Sequence, residues 1–206
     1  MHNCIAIVLA AGCSTRMGAE NKLLIDVCGV PMVKRVVTAA IQLSDGPVTV
    51  VLGHQGDRVR RVLAPLKVQF VDNPDYQAGQ MTSVLAGLST APKAQSYLIS
   101  PGDMPDLTAP SLAALLAAHC ASDQQKITLP MQADRRGNPI VIPHGCVKDI
   151  LADPENLGCH GFTRKNPDRT HLFETPDPAF FRDIDTPEDL AKFMKNNSLS
   201  SLGLSC

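Results

Sequence analysis

The sequence lacks an excess of charge of either sign and lacks a long apolar run. It has 19 lysines and arginines against 20 aspartates and glutamates in 206 residues, a formal net charge of -1. This balance predicts neither a nucleic-acid-binding coat nor an acidic tail, so affinity for an anion must come from a local site. The N-terminal stretch MHNCIAIVLAAG lacks a basic segment and is too short for a signal peptide or a membrane span. We therefore expect a cytoplasmic protein with neither a membrane nor a nucleic-acid partner.

The sequence also lacks closely spaced cysteines. Its seven cysteines are odd in number and scattered, and none stands in a C-x-x-C or similar metal-ligand spacing. This pattern predicts reduced thiols, as is usual in the cytosol. Cys4 and Cys28 have apolar neighbours in the sequence, and we expect both to be buried in the core.

Apolar, β-rich runs alternate with stretches in which apolar residues recur three and four positions apart. The strand-like runs cover 4–10, 47–53, 67–71, 96–100, 126–131 and 138–143, and the helix-like stretches cover 31–43, 56–66, 81–90 and 109–122. Alternation of this kind predicts a three-layer α/β fold with a mainly parallel sheet, covered by helices on both faces. We expect one domain over residues 1–196 and a flexible tail over 197–206.

The first polar segment, LAAGCSTRMGAENKLL (9–24), directly follows the first strand-like run. Gly12 and Gly18 allow the backbone to approach a ligand closely, and Arg16 and Lys22 can neutralise oxyanions. The segment is either a cradle for a polyphosphate or a surface loop with two solvated cations. Its spacing matches neither G-x-x-x-x-G-K-[ST] nor G-x-G-x-x-G, which excludes a P-loop and a dinucleotide fingerprint.

Two later segments carry carboxylates at the ends of predicted strands. In LISPGDMP (98–105), Asp103 is placed either to hold a divalent cation that also touches phosphate oxygens, or to form a turn or helix cap. In FRDIDTPEDL (181–190), Asp183 and Asp185 alternate on a predicted strand, so one of the two faces the site and Thr186 caps the next helix.

A fourth segment, RRGNPIVI (135–142), brings two arginines and a glycine to the start of a strand. It either closes over a ligand from the opposite rim of the site or forms an ordinary hairpin end.

In this order and at these distances, the four segments resemble the MobA-like nucleotidyltransferases, and the resemblance extends from residue 4 to about residue 194. It implies a Rossmann-like nucleotidyltransferase fold and Mg²⁺-dependent transfer of a nucleoside monophosphate to a phosphorylated acceptor, with release of pyrophosphate. Such chemistry needs charge neutralisation and in-line positioning more than a covalent nucleophile.

The resemblance also implies roles for residues. Arg16, Lys22 and Asp103 would be catalytic, and Asp103 and Asp185 would hold the metal. The nucleotide would contact Leu9, Ala10, Ala11, Gly12, Arg16, Lys22, Gly79, Ser83, Pro101, Gly102 and Asp103. The acceptor would lie near Arg136, Gly137, Asn138, His160 and Arg164.

Two positions favour one branch of this family. Ala11 and Gly102 stand where the guanylyl-transferring branch typically has glycine and cysteine, so the resemblance favours CTP and a molybdopterin-type acceptor. The product would serve a molybdenum hydroxylase, directly or through its maturation chaperone. The acceptor segments depart from the cytidylyl branch, since Asn138 replaces a histidine and GCHGFTR (158–164) replaces a G-D-x-G-A-R-like segment.

Several alternatives remain open. The chain could use GTP or activate a sugar phosphate, or it could be a nucleotide-binding cofactor chaperone without turnover. The full set of Arg16, Lys22, Asp103 and Asp185 favours an enzyme over a binding protein. The missing dinucleotide fingerprint disfavours a Rossmann dehydrogenase.

Overall fold

The computed structural model describes residues 3–13, 17, 20–152 and 158–201. The strands are β1 (Cys4–Ala10), β2 (Asp26–Val27), β3 (Val30–Pro31), β4 (Val48–Leu52), β5 (Val68–Asp72), β6 (Ser96–Pro101), β7 (Ile127–Gln132), β8 (Arg135–Arg136), β9 (Ile140–Pro143) and β10 (Thr170–Glu174). The helices are α1 (Met32–Ile41), α2 (Gly56–Leu63), α3 (Gln80–Thr90), α4 (Ala109–Ala121), α5 (His144–Leu151), α6 (Gly158–Lys165) and α7 (Pro187–Ser201). Every strand-like run and helix-like stretch expected before residue 143 is present.

One large sheet runs in the order β10-β7-β9-β6-β1-β4-β5, and β8 pairs with the end of β7. Strands β6, β1, β4 and β5 are parallel neighbours, as are β7 and β10. Strand β9 runs antiparallel to both β6 and β7. The predicted mainly parallel sheet is confirmed.

Strand β1 lies inside the sheet and contributes side chains to both of its faces. On one face, Val8 belongs to a core with residues of α1, α2 and α4; on the other, Ile7 packs with residues of α3, α5 and α6. Both side chains have no exposed surface, and burial of a side chain of this size contributes about 1.5–3 kcal/mol. This alternation explains the predicted three layers, because a strand exposes successive residues to opposite faces.

Helix α3 lies close to β1 because it has a glycine at the contact. A Cβ added at Gly87 would lie 2.6 Å from Cγ2 of Ile7 and 3.1 Å from Cγ2 of Val51. The missing side chain therefore sets the distance between this helix and the centre of the sheet.

The connections leave a crevice at the carboxyl end of β1. The chain passes from β1 to β4 on one side and later returns through α3 to β6 on the other side. Ligands of open α/β sheets bind where the strand order reverses in this way. The loops after β1 and β6 both open into this crevice.

The short β2–β3 hairpin explains one wrong prediction. Cys28 is exposed, not buried, because it lies in the hairpin turn with φ +53°, followed by Gly29 with φ +83°. Cys4 is 2% exposed, as expected. The six cysteines within the described residues are free thiols. The same part of the chain has no helix with the length and apolar character needed to cross a bilayer.

Candidate active site

A cavity of about 560 Å³ opens at the carboxyl ends of β1 and β6. All four polar segments of the sequence contribute to its wall. From the predicted set, the lining includes Leu9, Ala11, Gly12, Lys22, Ser83, Pro101, Asp103, Arg136, Gly137, Asn138 and Asp185. Ala10 is buried at the end of β1. Arg16 lies outside the described residues.

Lys22 is placed by a short 3₁₀ turn, Lys22–Leu24, at the end of the glycine loop. Asn21 caps this turn: its side-chain oxygen accepts a hydrogen bond from the backbone N–H of Leu23 at 3.1 Å, and its amide donates to the carbonyl of His54 at 3.3 Å. These two hydrogen bonds join the loop after β1 to the loop after β4, and they are shielded from water because Asn21 is only 2% exposed. The base of the loop is therefore fixed, and Lys22 points into the cavity.

Lys22 joins two carboxylates from distant parts of the chain. Its Nζ lies 2.7 Å from Oδ2 of Asp103 and 2.6 Å from Oδ1 of Asp185. The three side chains are only 10%, 19% and 29% exposed, respectively. Charge-assisted hydrogen bonds in such a partly dry site are stronger than those on an open surface.

The pKa shifts of Lys22 and Asp103 show that burial and the neighbouring charges act in opposite directions. Burial raises the pKa of the Asp103 carboxyl, Lys22 opposes that effect, and the negative charges of Asp183 and Asp185 add to the rise. Burial lowers the pKa of the Lys22 ammonium, but Asp103 and Asp185 together outweigh it, so the pKa of Lys22 is raised. Lys22 therefore stays charged and compensates the carboxylates at neutral pH.

Asp185 is positioned by the start of α7. The carboxylate of Asp189 accepts hydrogen bonds from the backbone N–H groups of Asp185 at 3.3 Å and of Thr186 at 3.0 Å, and the Thr186 hydroxyl accepts from the N–H of Asp189 at 3.2 Å. The Thr186 hydroxyl also donates to the Asp189 carboxylate at 2.7 Å, and this hydrogen bond is the main reason that the pKa of Asp189 is lowered. This reciprocal cap confirms the predicted role of Thr186.

The predicted strand through Asp183 and Asp185 is wrong. Residues 182–186 have no regular structure, and Ile184 joins the loop after β6 through one hydrogen bond, from its N–H to the carbonyl of Asp103 at 3.0 Å. Without a strand's alternation, both aspartates line the same cavity. Asp185, and not Asp183, contacts Lys22 in the hydrogen bonds described above.

The chemistry of the cluster fits a hard divalent cation. Oδ1 of Asp103 is buried and has no hydrogen-bond partner, so this carboxylate oxygen can accept a ligand such as a cation. No set of three or more His, Cys, Asp or Glu metal ligands occurs in the described ranges. Such a cation would take two carboxylates from the protein and its other oxygens from phosphate and water, as Mg²⁺ commonly does.

The N-terminus of α3 forms another wall of the cavity. Asn73 is 4% exposed, and its amide donates to the hydroxyl of Ser83 at 3.0 Å and to that of Thr82 at 2.9 Å. Because the Ser83 hydroxyl accepts from Asn73, its own proton is directed to another acceptor. Gly79 precedes the helix with φ +117°, a conformation that favours glycine.

The RRGNP segment is both a hairpin end and part of the site, so the two readings are compatible. Strand β8 pairs with β7, and a Cβ added at Gly137 would lie 2.5 Å from the Phe180 carbonyl oxygen and 2.8 Å from the Phe181 ring. The N–H of Asn138 donates to the same Phe180 carbonyl at 2.9 Å. Glycine is therefore required for the hairpin to pack against 180–181, across the cavity from Asp103.

The remaining acceptor-side residues lie at the outer rim. Arg136 donates from Nη1 to the Thr163 hydroxyl at 2.7 Å, and Arg164 is exposed on α6. His160 belongs to the same helix, and its side chain lies outside the described part. Arg136 therefore lines the cavity, whereas Arg164 lies beyond it.

Sequence reasoning missed several lining residues. Tyr76 lies just before α3, and Arg135 and Phe181 form part of the far wall. Arg135 belongs to the RRGNP segment, and its charge could have predicted a place in the site. The others have no local signal, because their place in the wall depends on how distant segments pack.

Comparison with known proteins identifies the family of the chain. The MobA-like NTP transferase domain family matches residues 6–170. The bifunctional protein GlmU of Geobacillus sp. is 33% identical over 156 residues, covering 71% of this chain and 32% of GlmU. The chain thus spans about a third of the length of that relative. Nicotine blue oxidoreductase of Paenarthrobacter nicotinovorans is 26% identical over 196 residues, covering 91% and 95% of the two chains.

Solved structures have the same fold. A nucleotidyl transferase from Methanothermobacter superposes with a TM-score of 0.81 at 21% identity, covering 96% of this chain and 99% of the other. Molybdopterin-guanine dinucleotide biosynthesis protein A from Archaeoglobus fulgidus gives 0.70 at 16% identity, covering 94% and 98%. At these identities the likeness establishes the Rossmann-like nucleotidyltransferase fold.

Proposed function

This chain belongs to the MobA-like NTP transferase family, and from that membership we propose that it transfers CMP from CTP to a molybdopterin-type acceptor. The observation that carries the proposal is the cluster of Lys22, Asp103 and Asp185 at the end of the central strands, with a buried carboxylate oxygen that has no hydrogen-bond partner. A protein that only bound a nucleotide would not need to keep two carboxylates beside the phosphate site.

The proposed reaction gives each of these groups a role. An oxygen of the acceptor's phosphate attacks the α-phosphorus of CTP, the bond from that phosphorus to the bridging oxygen breaks, and pyrophosphate leaves with the bond's electron pair. Lys22 neutralises charge on the phosphates, and the Ser83 hydroxyl donates to the nucleotide. Asp103 and Asp185 would hold Mg²⁺, which supplies charge neutralisation at the phosphate oxygens when bound.

The proposed base is cytosine because Ala11 and Gly102 stand where the guanylyl-transferring branch typically has glycine and cysteine. Ala11 is 3% exposed, and a Cβ added at Gly53 would lie 2.8 Å from the Ala11 methyl. The Ala11 methyl is therefore packed against the loop after β4. A Cβ at Gly102 would lie 3.0 Å from the carbonyl oxygen of Leu9, so the backbone just before Asp103 packs closely against the end of β1.

The proposed acceptor is supported by the resemblance of the motifs and by the kind of structure that shares the fold. One such structure is described as a molybdopterin-guanine dinucleotide biosynthesis protein. We assign the product, a dinucleotide form of molybdenum cofactor, to a molybdenum hydroxylase or its maturation chaperone. One relative, nicotine blue oxidoreductase, is named as a redox enzyme. This chain lacks the G-x-G-x-x-G spacing of a dinucleotide-binding loop, which disfavours nicotinamide dinucleotide binding.

The test is pyrophosphate release with CTP, GTP, ATP and UTP in turn, in Mg²⁺, with and without molybdenum-bearing molybdopterin. We expect release with CTP that depends on the acceptor. Release with GTP and none with CTP would refute the base, and turnover with a sugar phosphate but not with the pterin would refute the acceptor.

The variant Asp103→Ala separates the metal assignment from folding. We expect it to lose turnover while keeping the circular dichroism spectrum of the parent. Exchange of an exposed carboxylate at the other end of the sheet, Asp123→Ala, serves as the charge-matched control. Near-normal rates in Asp103→Ala would place the cation elsewhere.

A further inference from the structure

A small recess opens from the wall of the main cavity, between α3 and the end of β6. We call it the side recess; its volume is about 50 Å³, which is room for roughly three water-sized groups. It shares part of its lining with the main cavity, namely Leu9, Gln80, Pro101 and Asn138. The side recess is therefore within reach of a molecule bound in the main cavity.

The rest of the side recess is formed by apolar side chains from four elements. Met81 and Val84 come from α3, Ile99 from β6, Ile140 from β9 and Cys159 from α6. The first four of these residues are buried. Burial raises the pKa of the Cys159 thiol to about 12, so the thiol is uncharged at neutral pH. Among the described residues that line it, the side recess thus has no charge, although it adjoins a strongly charged cavity.

Water is a poor occupant of this space. A buried water needs two to four hydrogen-bond partners, whereas thiol and thioether sulfur bond only weakly. Among the described side chains of the lining, the strong partners are the amides of Gln80 and Asn138, and both belong to the part shared with the main cavity. An apolar group that displaces loosely held water from such a space gains affinity.

The acceptor, and not the nucleotide, is the molecule that can supply such a group. CTP has hydroxyl, amino, carbonyl and phosphate groups but no alkyl or thioether substituent. The two segments that depart from the cytidylyl branch, RRGNP and GCHGFTR, contribute Asn138 and Cys159 to the side recess. Both segments are expected on the acceptor side, so this neutral lining concerns the acceptor.

We infer that the side recess binds a small apolar group, of about one to three carbon or sulfur atoms, carried by the phosphorylated acceptor. The inference rests on the proposed function, since it concerns the acceptor of that reaction. It adds a selection that the charges of the main cavity cannot make, because all phosphorylated acceptors have the phosphate in common. An acceptor with a hydroxyl at this point is disfavoured, since the hydroxyl loses its hydrogen bonds to water.

The test compares n-propyl phosphate with 2-hydroxyethyl phosphate, which has a hydroxyl in place of the terminal methyl. Dissociation constants are measured by protein-observed NMR titration. We expect n-propyl phosphate to bind the parent about tenfold more tightly, the lower end of what a hydrophobic pocket achieves for one such group. Cys159→Leu should fill the side recess and abolish this preference, with 2-hydroxyethyl phosphate bound as before. Cys120→Leu, the same exchange on α4 at the other face of the sheet, is the matched control and should keep it.

A second variant and a folding check support this comparison. Cys159→Asp keeps nearly the same side-chain volume, and its carboxylate should also remove the preference; CTP binding and the circular dichroism spectrum report whether each variant is folded. Equal binding of the two phosphates by the parent, or a preference that survives in folded Cys159→Leu, would overturn the inference. Displacement of n-propyl phosphate by CTP would also overturn it, because the side recess would then belong to the nucleotide.

Failure of this inference and failure of the proposed function give different results. Acceptor-dependent pyrophosphate release, together with equal binding of the two phosphates, would refute the side recess alone. A methyl preference that Cys159→Leu abolishes, with no pyrophosphate release from any of the four nucleotides, would refute the proposed function. The side recess would then stand as a subsite for the apolar group of a phosphate monoester.

Discussion

Replacing Lys22 by methionine tests the central cluster directly. The change keeps a long side chain but removes the ammonium that lies 2.7 Å from Asp103 and 2.6 Å from Asp185. Removing one partner of a buried ion pair costs about 3–5 kcal/mol, and the partial exposure of these side chains places the expected loss near the lower end, about 3 kcal/mol. For a chain of this size, each kcal/mol shifts Tm by roughly 2–4 °C. We therefore expect Lys22→Met to unfold roughly 6–12 °C below the parent.

Divalent cations should reverse much of this loss. In the parent, Mg²⁺ or Mn²⁺ must compete with the ammonium for the same two carboxylates, whereas in Lys22→Met this competition is removed. A ligand at one hundred times its Kd stabilises a folded protein by about 2.7 kcal/mol. Millimolar Mn²⁺ should thus raise the Tm of Lys22→Met by several degrees and that of the ligand-free parent by much less.

The assay is thermal unfolding followed by circular dichroism, with and without the divalent salt, at constant ionic strength. Lys67→Met is the matched control, because Lys67 is exposed just before β5, at the opposite end of the sheet. The double variant Lys22→Met, Asp103→Asn should lose the extra response to the ion. Equal Mn²⁺ shifts in the parent and in Lys22→Met would refute the idea that the ammonium and the cation compete for one place.

Other expectations follow from packing, thiol chemistry and the cavity wall. Gly87→Ala should lower the free energy of unfolding by about 1–3 kcal/mol in urea, because its Cβ would meet strand β1 at 2.6 Å; full stability would contradict that close approach. Burial raises the pKa of Cys4 to about 11 and that of Cys159 to about 12. Below those values both thiols stay protonated, so iodoacetamide in neutral buffer should label exposed Cys28 first, as mass spectrometry would show. Ala11→Gly should reduce the preference for CTP over GTP about tenfold in kcat/KM; an unchanged ratio would remove Ala11 from base selection.

Much of the fold could be predicted from local pattern alone. The run CIAIVLA becomes β1, and its residues alternate between two cores because a strand's side chains alternate between its faces. Thr108 caps α4 through its hydroxyl, which accepts from the N–H of Ser111 at 3.2 Å, and threonine is a favoured residue type at this position. The four polar segments could also be identified, since each follows or precedes an apolar run.

Local pattern failed where the backbone leaves regular geometry. Cys28 has apolar neighbours, yet a turn with positive φ places it in solvent. Asp183 and Asp185 have the spacing of a strand, yet the segment makes one hydrogen bond to the loop after β6 and then enters the cap of α7. In both cases the neighbours in space, and not those in sequence, decided the conformation.

The sequence by itself determined the elements, their order and the residue types that gather at one end of the sheet. Only the tertiary structure decided that Lys22 contacts carboxylates 81 and 163 positions away, and that Cys159 of α6 and Leu9 of β1 line the same recess. The reason is physical. Periodicity reflects interactions within a few residues, whereas the distance between side chains on different loops depends on how every layer of the core packs.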